Sequence, residues 1–186
     1  MKIFIVFMML TFSFSIFAIV QGYKWSVKSN IKTPESAYYA VDYNLVFVSS
    51  IDGEGSKKDG KGHISILSSA GKILNENWIT GLNAPKGMRS LNGKLWVSDI
   101  DELVEIDMNK GKVLKKYPIK GAKFLNDIAI SASGEVYVSD TITSKIYLLK
   151  NDKISSFVEG PELESPNGLL ILDNYLYVAA WGLTTD

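Results

Sequence analysis

The chain has 186 residues, 20 basic and 20 acidic, with one histidine and no cysteine. Balanced charge argues against nucleic acid as a partner, because a face for phosphates needs a positive excess. The missing cysteines exclude disulfides, thiolate zinc sites and thiol chemistry, and a lone histidine excludes paired-histidine metal sites.

In chain order, Met1-Lys2 precede an uncharged run, Ile3 to Val20, and Val20-Gln21-Gly22 then offers small residues. A basic start, an apolar centre and a small-residue end predict a secretory signal peptide over residues 1–22, cleaved near Gly22. An uncleaved anchor is the alternative, since eighteen uncharged, mostly apolar residues lie at the lower edge of a bilayer span. Either way residues 23–186 are expected outside the cytoplasm, periplasmic or extracellular. No stable membrane span is left once the leader is removed.

Beyond the leader one pattern recurs: an apolar residue, an aromatic, Val and a small residue. It appears as Val46-Phe47-Val48-Ser49, Leu95-Trp96-Val97-Ser98, Val136-Tyr137-Val138-Ser139 and Leu176-Tyr177-Val178-Ala179, with the aromatics 49, 41 and 40 residues apart. A polar insertion, Asp52 to Gly62, lengthens the first interval. Hairpin-type turns precede the four segments at Tyr43-Asn44, Asn92-Gly93, Ser133-Gly134 and Asp173-Asn174. After the first three come a third strand (His63 to Leu67, Leu103 to Asp107, Lys145 to Leu149), a turn, and a fourth strand beginning at Ile73, Val113 or Ile154. Four short strands in each period of about 40 residues predict an all-β propeller. Residues 23–186 hold about three and a half blades, so the chain reads as the first part of a longer ring. Tyr23 to Ser29 reads as an outer strand that pairs with the last blade.

The first strand of each propeller blade lines the central channel, so aligned positions at its start converge on the axis. Those positions fall in Thr33-Pro34-Glu35, Ala84-Pro85-Lys86, Phe124-Leu125-Asn126 and Ser165-Pro166-Asn167, which puts Glu35, Lys86, Asn126 and Asn167 on one ring. One carboxylate and two amides are oxygen donors of the kind calcium takes and zinc does not. Lys86 opposes a cation there; it either snorkels outward or binds an anionic group of a substrate.

Pro34-Glu35, Leu125-Asn126-Asp127 and Ser165-Pro166-Asn167-Gly168 together resemble the senescence-marker-protein/gluconolactonase/strictosidine-synthase-like superfamily of six-bladed propellers. The resemblance covers nearly all of residues 31–182. It implies a divalent metal, calcium or another, held by Glu35 and Asn167, with Asn126 a metal or substrate contact. It also implies lactone hydrolysis, which many members perform. The family's Asp ligand would lie in a later blade, so the site is expected to be incomplete here. Asp127 is the nearest carboxylate for a water-activating role. Strand alternation predicts that it faces away from the channel if Asn126 faces toward it.

The remaining polar residues have plainer readings. Gly55 to Lys61 fits most of a phosphate-binding loop, but Gly62 replaces the Ser or Thr and a strand follows where a helix is needed; the segment reads as a solvated insertion above the ring. Asp99 and Asp140 recur at one strand end and read as turn contacts. His63 reads as a surface residue, and Trp181 with the strand aromatics as core. Two functions fit this sequence: a calcium-dependent lactone or ester hydrolase, and a non-catalytic propeller that binds a small molecule or protein at the channel mouth.

Overall fold

The computed structural model describes residues 25–28 and 30–182; the leader read over residues 1–22 lies outside them. Fourteen strands follow one another as antiparallel meanders. Blade 1 is β1 (Pro34–Ala40), β2 (Leu45–Ser50), β3 (Gly62–Ser68) and β4 (Ile73–Leu82). Blade 2 is β5 (Pro85–Leu91), β6 (Lys94–Asp99), β7 (Glu102–Asp107) and β8 (Lys112–Pro118). Blade 3 is β9 (Leu125–Ile130), β10 (Val136–Asp140), β11 (Lys145–Lys150) and β12 (Lys153–Glu159), and β13 (Pro166–Leu172) with β14 (Tyr175–Ala180) begins blade 4. Among the described residues no helix is long and apolar enough to cross a membrane.

The hairpins follow from their turn residues. Asn92-Gly93 and Asp173-Asn174 hold both central residues at positive φ, which matches the right-handed twist of the flanking strands. The first strands lie side by side, β1 by β5, β5 by β9 and β9 by β13, and form the channel wall.

The recurring four-residue pattern is explained by alternation across the sheet. In blade 2, Leu95 and Val97 pack back on Phe47, Ile64 and Leu82 of blade 1. Trp96, one residue out of phase, packs forward on Leu125, Ile128 and Val138 of blade 3. Phe47, Trp96 and Tyr137 therefore serve the following blade, and the apolar-plus-Val pairs of blades 2 and 3 the preceding one. Fully burying one such side chain contributes about 1.5–3 kcal/mol. The third strands are buried on both faces, which is why their alternation is incomplete in sequence. The core thins toward blade 4, where among the described residues Leu169 is the blade 4 member of a small buried cluster with Ala129 and Ile146.

Four expectations are corrected here. Residues 25–28 form no strand, and the Trp25 indole donates to Ser69 O at the β3–β4 turn of blade 1. Gly71 admits that ring, since a Cβ there would lie 2.4 Å from it. His63 is buried, because β3 packs on both faces. Trp181 and Tyr177 are 70% and 53% exposed, for no described strand covers the forward face of blade 4.

Candidate functional site at the ring mouth

All four aligned positions fall at irregularities in strand register. The pairing of β1 with β2 slips between Pro34 and Ser36, taking in Glu35; that of β13 with β14 slips between Pro166 and Gly168, taking in Asn167. The β5–β6 pairing slips between Pro85 and Met88, at Lys86, and the β9–β10 pairing between Leu125 and Ile128, at Asn126. A bulge leaves its residue unpaired and re-aims the side chain. The structure thus brings Glu35, Lys86, Asn126 and Asn167 to one level on neighbouring inner strands.

Serines fix this level. Ser49 Oγ donates to Lys86 O at 2.9 Å, Ser98 Oγ to Asn126 O, and Ser139 Oγ to Asn167 O at 2.6 Å, each bond running from one blade to the next. Two of these hydroxyls also accept from their own inner strand, Ser49 from Ser36 N at 3.1 Å and Ser139 from Asp127 N at 3.0 Å. Sequence reasoning treated these residues only as small; their shared place, two after the aromatic, was the signal available. Asp99 and Asp140 act as turn contacts: Asp99 accepts from Asn83 N and Ala84 N, and Asp140 from Lys123 N and Phe124 N. Burial pushes the Asp99 carboxyl above its ordinary range, against the pull of its two backbone donors.

The four mouth residues are held differently. Glu35 is exposed, and Ser36 Oγ donates to its Oε2 at 2.7 Å. Asn126 is buried and its Nδ2 donates to Thr141 Oγ1 at 3.3 Å, while Thr141 Oγ1 donates to Pro166 O. Asn167 is half-buried. Lys86 does not snorkel outward; it is 1% exposed. Its ammonium donates to Ala84 O at 2.9 Å and Gly55 O at 3.1 Å, and stands 4.3 Å from the centre of the Phe124 ring. Burial holds the Lys86 ammonium below the ordinary lysine range, opposed by the charges of Glu35 and Asp99. With two carbonyls and a ring face around it, the ammonium is turned toward protein rather than into the channel.

Asp127 departs most from expectation. It lies along the channel wall, where its Oδ2 accepts from Leu169 N at 2.9 Å and pairs with Arg89 Nη2 at 3.3 Å, so one carboxylate ties the inner strands of blades 2, 3 and 4. The bulge at Asn126-Asp127 is the reason, because an extra residue breaks the alternation on which the expectation rested. Gly87 makes room: a Cβ there would lie 2.6 Å from Asp127 Oδ1. Arg89, the chain's one arginine, also donates to Met88 O at 2.7 Å and faces the Tyr38 ring at 5.9 Å. Among the described residues no three His, Cys, Asp or Glu side chains gather where they could hold a metal.

No protein family matches the chain in sequence, and no curated protein does either. Solved structures match it in fold. Virginiamycin B lyase from Staphylococcus aureus superposes with a TM-score of 0.58 at 16% identity, over 76% of this chain and 47% of the lyase. A gluconolactonase from Xanthomonas campestris gives 0.61 at 9% identity, over 81% and 55% of the two chains. A chain of the nidogen/laminin complex gives 0.63 at 19% identity, over 83% and 58%. At these identities the likeness is one of fold: the chain is a β-propeller of the architecture that gluconolactonase and the lyase share. It spans about half the length of these neighbours.

Proposed function

We propose that this protein is an exported propeller whose ring mouth binds a small polar molecule, on a site related to that of calcium-dependent lactone and ester hydrolases. The observation that carries this reading is the alignment of Glu35, Lys86, Asn126 and Asn167 at register slips on one level of four inner strands. The gluconolactonase likeness supports it in fold.

Glu35, Asn126 and Asn167 suit calcium in kind, being hard oxygen donors, and a single carboxylate supplies little charge. A bound divalent ion would polarise a ligand carbonyl. The chain's own residues do the positioning: the clamped Asn126 and Asn167 carbonyls hold the two amides in place, and Glu35 stays accessible. Asp127 is occupied by Arg89 and Leu169 N, so turnover needs a base from outside the described blades. That same engagement favours the second reading, a propeller that binds a small molecule or protein without catalysis.

Calcium titration of the full chain by calorimetry tests the donor set. A site in the millimolar range is expected, typical of charge-poor calcium modules, and Glu35→Gln should abolish it. Undiminished binding by Glu35→Gln would overturn the assignment.

A further inference from the structure

The connection between β2 and β3 covers residues 51–61, against 100–101 and 141–144 at the same place in blades 2 and 3. Pro34 pairs with Ser50, so this long connection leaves the sheet at the mouth end of the channel. It does not loop freely into solvent. At its root Ile51 N donates to Thr33 O at 3.1 Å and Asp52 N to Thr33 Oγ1 at 2.9 Å, both in blade 1. Further along, Lys58 Nζ meets Asp101 Oδ2 in blade 2 at 2.5 Å. Between them Gly55 offers its carbonyl to Lys86 Nζ and comes close enough to Phe124, at the entry of blade 3, that a Cβ on it would touch the ring at 3.9 Å.

We propose that residues 51–61 form a strap across the mouth that masks Lys86, and that opening the strap frees the ammonium as an anchor for an anionic group, a carboxylate or phosphate, of the ligand. The proposal rests on the reading of the mouth as a ligand site. Two latches of different kinds hold the strap. The Lys58–Asp101 pair is solvated and yields to salt. The Lys86–Gly55 bond is part-buried, so salt screens it less than the exposed pair, and a charged donor makes it stronger than a neutral bond. Opening exchanges the Gly55 carbonyl for water or for a ligand oxygen while Ala84 O keeps its hold, so the ammonium stays at the level of Glu35 and Asn126. A ligand with an anionic oxygen thereby replaces the contact that opening breaks.

Two measurements on the full chain test this apart from any calcium response. The first is limited trypsin digestion, reading the cut after Lys57 or Lys58. Asp101→Asn should speed that cut two- to threefold at low salt, an effect lost at high salt (about the size of one exposed pair), and Lys86→Met should speed it about tenfold at either. The second needs no substitution. Brief acetylation of the unaltered chain should leave Lys86 unmodified while the exposed lysines react, and Lys86 should join them once the strap is nicked. Acetylation of Lys86 in the uncut chain as fast as at Lys110 or Lys153 would overturn the proposal. So would a folded Lys86→Met cut at the unaltered rate. A calcium titration that fails while these two succeed refutes the metal donors and leaves the strap standing.

Discussion

Ser139→Ala removes a single oxygen and should cost far more than its volume suggests. The hydroxyl donates to Asn167 O at 2.6 Å in the next blade and accepts from Asp127 N at 3.0 Å in its own. Both bonds are part-buried, and each lost bond is worth roughly 1 kcal/mol net, more where the orphaned group stays dry. The expected loss is about 2–3 kcal/mol. That corresponds to a fall of roughly 4–12 °C in Tm for a domain of this size. Ala179 occupies the same place in blade 4, and no blade is described beyond it. Ala179→Ser is therefore the internal control and should stay within about 0.5 kcal/mol of the unaltered chain. Urea melts followed by the fluorescence of the core tryptophans Trp78 and Trp96 measure both. If Ser139→Ala also falls within 0.5 kcal/mol (the ordinary scatter of surface changes), the inter-blade bonds are incidental and the account of the ring level fails.

Three further outcomes are expected. Because the folded chain holds the Lys86 ammonium below its ordinary 10.5, the unfolded chain binds the proton more tightly over the interval between the two values. Its contribution to stability rises with pH there; urea midpoints should show that Lys86→Met removes this rise, and parallel profiles would refute it. The chain should self-associate through the exposed apolar edge of β14, and Tyr177→Lys should reduce this; light scattering that shows a monomer before and after the change would contradict the idea. Lactone hydrolysis by this chain should not exceed buffer even with calcium, since Asp127 is engaged. Turnover that Asp127→Asn abolishes would reverse that conclusion.

The blades were legible because their signal is local. The aromatic spacing and the recurring turns placed the third and fourth strands of the first three blades to within about a residue, and the level of Glu35, Lys86, Asn126 and Asn167 came from the same alignment. The unseen features depend on partners distant in sequence. A bulge is a relation between two strands, so the direction of Asp127 could not be had from β9 alone. Lys86 read as a charge in the channel because nothing in the insertion marks Gly55 as the residue whose carbonyl reaches it. Ser49, Ser98 and Ser139 were visible as small residues, but a hydroxyl's purpose appears only once the next blade's carbonyl is in place.

The serine bonds and the motif aromatics share one direction: each reaches toward the blade made after it, never the one before. The arc thus has a polarity, like a ladder whose every rung carries the socket for the next. A blade just synthesised finds its seat already built and leaves its own socket open. Such an arc grows at its far end without disturbing what is laid down, and because its sheets meet mainly neighbour to neighbour, damage to one rung loosens two blades rather than the whole. Among the described blades, the fourth differs: β14 carries Ala179 where the other three carry a serine, so its forward face offers shape and apolar contact instead of a hydroxyl.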